Sequence, residues 1–207
     1  MHYKKIRVKS LDAPKRFYRL LYVREDLNLF ELGVTILLAV DCGFGHMFTL
    51  EDQKYVYVDE SWVNDTPYLF DLLLSIPKDR DYEKYKISDL VLDANNTFKI
   101  CYDSGDNWEF EIKIYKVEKD LPGEAFAHLI EGAGASIWED NRQLFLRFID
   151  SGSDALSAEE KDFLFEMVNA DVETFDDPLD IDSLNDNIDR AESTCRLLRE
   201  MRDSSFD

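Results

Sequence analysis

Aromatic and branched apolar residues mark four candidate strands near the N-terminus. Tyr3, Ile6 and Val8 lie among basic residues, and residues 17–23 are rich in aromatic and branched side chains. With Pro14 as a break between them, the two segments predict two strands joined by a short turn. Residues 46–50 and 54–58 predict two further short strands. This part of the chain therefore has strand patterns on both sides of a helical stretch.

The clearest strand signal is a hairpin within residues 98–114. On either side of the turn residues 104–107 every second residue is apolar, namely Phe98, Ile100 and Tyr102 before the turn and Trp108, Phe110, Ile112 and Ile114 after it. This spacing predicts two antiparallel strands with one apolar face. After Ile114 the apolar set shifts to Tyr115 and Val117, which predicts a bulge or the end of the strand.

A helical pattern follows the first strand pair. Asn28 and Glu31 predict an N-cap with its reciprocal partner. The apolar residues after the cap recur at helical spacing: Leu29, Leu32, Ile36, Leu37 and Val40. A helix that is apolar on most sides is buried, so we expect it to lie against the sheet as the central helix. Gly43 and Gly45 end it, and a Thr-Pro pair predicts a further helix over residues 67–74.

The remaining residues up to position 150 complete an α+β domain. Residues 144–149 predict a last strand, which returns to the sheet after a loop containing Gly132 and Gly134. For residues 1–150 we therefore predict an α+β fold, in which a mixed or mostly antiparallel sheet packs on one main helix.

Residues 151–207 form an acidic extension that predicts a pair of helices. Ser157 and Glu160 make a capping box for a helix with an apolar side formed by Phe163, Leu164, Met167 and Val168. A second helix carries one apolar stripe: Leu184, Ile188, Ala191, Cys195 and Leu198. The stripe needs a cover, which is either the N-terminal domain or, in a dimer, the same helix of a second chain.

Composition and charge narrow the class of protein. The 207 residues contain 44 Asp and Glu against 24 Lys and Arg, a formal net charge of −20, and 45% of them are hydrophobic. This composition supports a globular core. It excludes a nucleic-acid binder that works by bulk charge, so direct nucleic-acid binding is not expected.

The first 24 residues differ in charge from the rest of the chain. They contain eight basic residues and one acidic residue, Asp12. Such a segment either pairs with acidic neighbours across a sheet or forms a small anion-binding face on a protein that otherwise repels phosphate.

Other features point to a cytoplasmic protein without a cofactor. No apolar run is long enough for a signal peptide or a membrane span, so we expect a cytoplasmic location and no membrane contact. Cys42, Cys101 and Cys195 lack the spacing of a zinc site and are expected as reduced, buried thiols. The glycines of residues 132–135 lack the flanking elements of a phosphate-binding loop.

Carboxylates are concentrated at the turn of the predicted hairpin. Asp103, Asp106 and Glu109 surround Trp108. Two carboxylates in different surroundings can divide acid and base roles, whereas the same groups also accept hydrogen bonds from turn amides. With His46 the three carboxylates offer a candidate metal constellation. The turn role is favoured, and we expect neither a catalytic residue nor a bound metal.

Several segments, in order along the chain, resemble a known family. They are residues 16–19, 27–32, 43–47, 87–90, 102–109, 132–135 and 139–140. Over about residues 3–150, and not in the acidic extension, the chain resembles the plasmid ORF-three-like proteins of the Ri-plasmid type, which also occur as passengers of insertion elements. The resemblance implies an α+β fold with a sheet on one main helix, and an association with mobile elements. It implies no established reaction.

The sequence therefore favours a non-enzymatic interaction module related to mobile-element passenger proteins, with an unidentified protein partner. Its expected contact surface is the hairpin tip and the histidine beside it: His46, Asp103, Asp106, Trp108 and Glu109. Two other hypotheses stay open. One is a metal-assisted or carboxylate-based hydrolase that uses the hairpin acids, and the other is an acidic inhibitor that imitates the DNA phosphate backbone.

Overall fold

An eight-stranded sheet forms the body of the protein in a computed structural model, which describes residues 1–59 and 80–204. The strands are β1 (His2–Ser10), β2 (Tyr18–Arg24), β3 (Phe48–Glu51), β4 (Val56–Val58), β5 (Arg80–Asp81), β6 (Thr97–Tyr102), β7 (Trp108–Asp120) and β8 (Ala127–Ala133). Their order is β5-β4-β3-β6-β7-β1-β2-β8, and neighbours are antiparallel except β4 and β5. The expected mixed, mostly antiparallel sheet is confirmed.

Five α-helices accompany the sheet in the described residues. They are α1 (Leu29–Ala39), α2 (Arg142–Ser151), α3 (Ala158–Met167), α4 (Ile181–Ile188) and α5 (Ala191–Ser204). Sheet and helices together make the predicted α+β fold. The helix expected over residues 67–74 lies outside the described residues. Within the described chain, no helix combines the length and the apolar character that crossing a bilayer requires.

The central helix α1 forms where the sequence predicts it. Asn28 Oδ1 accepts a hydrogen bond from the N–H of Glu31 at 2.9 Å, and the Glu31 carboxylate accepts one from the N–H of Asn28 at 3.2 Å. Every residue of α1 except Glu31 and Leu38 is buried, because the helix is apolar on nearly all sides. Gly33 lets the Phe48 ring approach closely, since a Cβ there would lie 2.1 Å from a ring carbon.

Strands β6 and β7 form the predicted hairpin, and its apolar face lies in the core. Tyr102 pairs with Trp108 across the hairpin, and both side chains are buried. The expected bulge after Ile114 is confirmed, because the register of β7 against β1 shifts between Lys4 and Ile6. The bulge lets β7 continue as a strand beyond the shift of its apolar positions.

Two predictions near residue 150 are wrong. Residues 144–149 belong to helix α2 and not to a strand. The reason is that Phe145 and Phe148, three residues apart, face the core together from one side of a helix. Gly132 lies in β8 and not in a loop, whereas Gly134, with a positive φ of 76°, uses the conformational freedom of glycine.

Aromatic side chains from both sides of residue 150 share one cluster. The ring centre of Phe175 lies 6.3 Å from that of Phe17, 5.7 Å from that of Phe145 and 5.2 Å from that of Phe148. Phe175 is 1% exposed. Residues of the acidic extension therefore contribute to the same core as the N-terminal strands.

The apolar stripe of the extension is divided between α4 and α5. Helix α4 packs against α1 and β8, and helix α5 packs against α1. These contacts bury Leu184, Ile188, Ala191 and Cys195, and Leu198 is partly buried. The N-terminal elements therefore cover most of the stripe, and a dimer through this helix stays a prediction. Helix α3 has the predicted capping box. On its predicted apolar side Leu164 is buried, whereas Phe163 and Met167 are exposed.

A side-chain amide in α4 pairs with the edge strand β8. Oδ1 of Asn185 accepts the N–H of Leu129 at 2.8 Å, and Nδ2 of Asn185 donates to the carbonyl of Leu129 at 3.0 Å. Leu129 lies where the register of β8 against β2 shifts. The amide therefore provides hydrogen-bond partners for two backbone groups on the free edge of β8.

Arg19 is a fully buried cation on β2. Its guanidinium donates to the carbonyl oxygens of Ala39 at 2.7 Å, Ala133 at 2.6 Å and Ala135 at 2.6 Å, and to that of Tyr18 at 3.0 Å. Burial disfavours the charged form and lowers the pKa of Arg19 to about 10. The side chain connects the end of α1 with β8 and with the loop that follows β8.

Candidate functional site

Three loops meet at one end of the sheet and bring a histidine and two carboxylates together. His46 lies between α1 and β3, Asp103 in the turn between β6 and β7, and Asp140 between β8 and α2. The start of β3 pairs with the end of β6, Phe48 opposite Tyr102, which brings the first two loops side by side. Each side chain of the cluster therefore comes from a different loop.

The side chains of His46, Asp103 and Asp140 form a compact cluster. Nε2 of His46 lies 2.8 Å from Asp140 Oδ1, and Nδ1 of His46 lies 3.6 Å from Asp103 Oδ1. One ligand atom of each residue lies within 4.8 Å of those of the other two. The side chain of Asp103 is 8% exposed, that of His46 34% and that of Asp140 71%. The cluster therefore extends from the interior to the solvent.

The backbone around this cluster is unusual, because several non-glycine residues adopt left-handed φ values. They are Asp41, Phe44, Asp103, Asn107 and Asp140, with φ between 56° and 60°. Asp and Asn tolerate this region, but for a bulky residue such as Phe44 it is an outlier. Such conformations cost about 1–3 kcal/mol each and are often found at functional sites.

Glu139, the neighbour of Asp140, is hydrogen-bonded both to the end of β6 and to the loop that carries His46. Its Oε1 accepts a hydrogen bond from the Tyr102 hydroxyl, and its Oε2 accepts one from the N–H of Gly43 at 2.7 Å. The Tyr102 hydroxyl in turn accepts the backbone N–H of His46 at 3.2 Å. This network fixes the backbone that carries the histidine and leaves its imidazole directed at the two aspartates.

Cys42 lies beside this network as a protonated thiol. Its Sγ is 3.7 Å from Glu139 Oε1 and accepts the N–H of Phe44 at 3.3 Å. Burial raises the pKa of the Cys42 thiol to about 12. At neutral pH the sulfur is therefore not a thiolate, which is the form that binds metals.

The buried thiols have a consequence for stability at alkaline pH. Burial also raises the pKa of Cys195 to about 12, from an ordinary value of 9.0. Between pH 9 and 12 both thiols keep their protons in the folded state and lose them on unfolding. Stability from this source is complete below pH 9 and is lost as the pH rises, at up to about 1.4 kcal/mol per pH unit for each thiol.

Urea unfolding above and below pH 9 measures this loss. We expect the free energy of unfolding to fall less steeply with pH in a variant that carries Cys42→Ala and Cys195→Ala, because this variant lacks the two thiols that titrate only on unfolding. Tyrosines and lysines titrate in both proteins, so their contributions cancel in the comparison. Equal slopes for the two proteins would contradict the expectation.

The structure separates the other predicted contact residues from the cluster. Asp106 Oδ2 accepts the N–H of Arg142 at 3.0 Å, in the first turn of α2. Glu109 lies 3.6 Å from the ammonium of Lys99 on the neighbouring strand. Trp108 is 1% exposed and belongs to the core, so it does not present its ring to a partner.

Of the predicted residues, His46 and Asp103 come together, and Asp140 joins them. No pattern in the sequence places Asp140 beside His46, from which it lies 94 positions away. The available signal was the Glu-Asp pair at residues 139–140 within the late loop of the resemblance. The predicted group of three hairpin acids does not form, because the turn directs Asp103 and Asp106 to different neighbours.

The fold and the site define a class of small α+β proteins in which loops at one end of a mostly antiparallel sheet carry a polar cluster. The model of the plasmid pRiA4b ORF-3-like protein family matches residues 3–183, and the chain belongs to this family. The family predicted from the sequence is confirmed. The match extends past residue 150, where the sequence predicts the end of the resemblance, and so includes the segment that contains the buried Phe175.

A solved structure shares the fold. The crystal structure of a protein of unknown function, MM3350 from Methanosarcina mazei Go1, matches with a TM-score of 0.60 and 17% sequence identity. The match covers 84% of this chain and 97% of that chain. No curated protein matches the sequence.

Proposed function

We propose that this protein is a non-enzymatic binding module that holds a divalent metal cation at the loop end of its sheet. The ligands are His46, Asp103 and Asp140. The observation that supports the proposal is the position of their ligand atoms, which lie within 4.8 Å of one another although they come from three separate loops. A protein partner, in this proposal, binds at the same end of the sheet.

The chemistry of the three ligands favours a first-row transition metal. One imidazole nitrogen and two carboxylate oxygens suit Zn²⁺ or Mn²⁺, whereas a set of oxygens alone would favour Mg²⁺ or Ca²⁺. Three protein ligands leave coordination positions for water or for an anionic group of a partner. Asp140 is the most exposed of the three, so the solvent side of the site is the side of that residue.

Electrostatics also favours a cation at this position. Two carboxylates approach one imidazole from opposite ring nitrogens, and the chain as a whole has a net charge of −20. A divalent cation offsets this concentration of negative charge. A protonated His46 between Asp103 and Asp140 offsets it as well, and metal uptake distinguishes the two arrangements.

Binding is favoured over hydrolysis because the acids near the cluster are engaged elsewhere. Glu139 accepts hydrogen bonds from Tyr102 and Gly43. Asp106 accepts one from a backbone N–H of α2, and Glu109 is directed towards a lysine of the neighbouring strand. A metal-dependent hydrolase commonly uses a free carboxylate as general base beside the metal, and these three acids of the described residues are not free.

Titration calorimetry of the metal-free protein with Zn²⁺, Mn²⁺ and Mg²⁺ tests the proposal. We expect saturable binding of one Zn²⁺ or Mn²⁺ per chain and much weaker binding of Mg²⁺. Because the cation binds the folded state, a concentration about 100 times Kd should raise the free energy of unfolding by about 2.7 kcal/mol. Affinity should fall as the pH is lowered, because protons compete for the ligands.

Single substitutions show whether the cluster is the site. We expect His46→Gln and Asp140→Asn to weaken binding by more than the ~10–100-fold typical of residues that only support a metal ligand. Glu109→Gln removes one negative charge from the neighbouring strand β7 and should leave the affinity unchanged. No metal uptake by the folded protein, or an equal loss with Glu109→Gln, would refute the site and leave His46 as an ion-paired structural residue.

A further inference from the structure

The outer side of the sheet differs in chemistry from the rest of this acidic protein. Successive residues of a strand point to opposite sides of a sheet, and the side of β1, β2 and β7 opposite the core carries partly exposed or exposed side chains. They are Lys5, Arg7 and Lys9 on β1, Tyr18, Leu20 and Tyr22 on β2, and Glu111, Lys113 and Tyr115 on β7. We call these nine residues the basic-aromatic face.

Strand register arranges the basic-aromatic face in rows with a cation at the centre of each. Arg7 lies between Leu20 on β2 and Lys113 on β7. The other two rows are Tyr18, Lys9 and Glu111, and Tyr22, Lys5 and Tyr115. The three cations of β1 therefore form a column in which neighbours are two residues, about 6.7 Å, apart.

Cations and tyrosine rings of this face are in contact. The guanidinium of Arg7 lies 4.6 Å from the ring centre of Tyr18, and the ammonium groups of Lys5 and Lys113 each lie 5.8 Å from that of Tyr115. Nε of Arg7 is buried and has no hydrogen-bond partner among the described residues. Cations beside accessible rings are the combination that binds phosphates and stacks bases of single-stranded nucleic acids.

The local charge of the basic-aromatic face is positive. It contains four cations and one carboxylate, and that carboxylate, Glu111, lies 2.8 Å from the ammonium of Lys9. At its border the Glu131 carboxylate accepts a hydrogen bond from the Tyr18 hydroxyl at 2.8 Å, and the Lys119 ammonium lies 5.4 Å from the ring centre of Tyr22, so these two border charges offset each other. Charges more than about 8 Å away are largely screened at physiological ionic strength. The net charge of the whole chain therefore does not determine what binds to this face.

We infer that the basic-aromatic face binds single-stranded nucleic acid, with phosphates along the β1 cations and bases against Tyr18, Tyr22 and Tyr115. A single strand is favoured over a duplex, because rings on a sheet stack unpaired bases. An acidic protein surface would use the cations but not the rings. This face is independent of the metal cluster at the loop end.

Fluorescence anisotropy of the full chain with a labelled single strand of about 12 nucleotides tests the inference. We expect binding of mixed-sequence DNA and RNA that is tighter than binding of a duplex of the same length. Three to four phosphate contacts should give a slope of about −2 to −3 for log K against log salt.

Two double variants that remove the same number of positive charges show whether binding depends on this face or only on the net charge of the protein. Combining Lys5→Gln with Arg7→Gln should weaken binding at least tenfold. Combining Arg190→Gln with Arg196→Gln, two exposed arginines of the extension, makes the same change in net charge and should leave binding unaltered. Tyr115→Leu keeps the charge and should weaken binding at least about fivefold, the smallest effect of a lost stack of base on ring. Circular dichroism and the melting temperature confirm that each variant is folded.

Three outcomes would overturn the inference. They are a folded protein that does not bind the single strand at low salt, equal losses for the two double variants, and a loss with the Lys5 and Arg7 variant but none with Tyr115→Leu. If the wild-type chain self-associates in sedimentation and the Lys5 and Arg7 variant does not, the face binds the acidic surface of a second copy. In that case nucleic acid is not its ligand.

Discussion

Replacing Arg19 by methionine is expected to lower the free energy of unfolding by about 2–4 kcal/mol, since a carbonyl that stays buried without its donor costs about 1–3 kcal/mol. The guanidinium is fully buried and donates to four carbonyl oxygens, among them those of Ala39, Ala133 and Ala135. Methionine has a similar volume but no donor, so the buried carbonyl of Ala39 and the part-buried carbonyls of Ala133 and Ala135 lose a partner. Urea unfolding followed by tryptophan fluorescence measures the loss.

Two comparisons show whether the hydrogen bonds of Arg19 cause the effect. Arg196→Met makes the same chemical change at an exposed position and should alter stability by less than about 0.5 kcal/mol. Arg19→Lys keeps the charge but cannot reach several separated acceptors with one ammonium group, so it should recover only part of the loss. A loss below about 1 kcal/mol for Arg19→Met would show that the carbonyls find other partners.

Replacing Phe175 by alanine is expected to cost about 3–5 kcal/mol. The ring is 1% exposed and lies against Phe17, Phe145 and Phe148, so its removal leaves a cavity between the extension and the strands. Because these rings belong to one cluster, unfolding should remain a single cooperative transition with a lower midpoint. Denaturation followed by both fluorescence and circular dichroism tests this expectation.

Phe165→Ala is the matched control for Phe175→Ala. Phe165 lies on α3 and is 64% exposed, so the same deletion should change stability by less than about 0.5 kcal/mol. Two separate transitions in the Phe175 variant would mean that the extension unfolds independently of the sheet, and that the shared aromatic cluster does not couple them.

Local patterns in the sequence were sufficient to predict much of the fold. The capping box of Asn28 and Glu31 and the hairpin on either side of residues 104–107 depend on neighbouring residues, and both formed as predicted. Residues 144–149 did not, because a short apolar run fits a strand and a helix equally well. Packing against the aromatic cluster decides between the two, and this packing depends on Phe175, which is distant in the sequence.

Only part of the candidate site could be predicted from the sequence. His46 and Asp103 were identified, and adjacent strands bring them together. Asp140 reaches them through the path of a loop between β8 and α2, which no local pattern encodes. For Trp108 the information was present, since it alternates with Phe110 and Ile112 on the apolar side of its strand and is buried with them.

The pairing of Asn185 with Leu129 has a consequence for how copies of this protein behave towards each other. A strand at the border of a sheet offers its free amide and carbonyl groups to any extended chain, and aggregation by strand addition begins at such borders. The amide of Asn185 occupies both groups of Leu129 on β8. Helix α4 thus covers two backbone groups of β8 that would otherwise be available to an added strand.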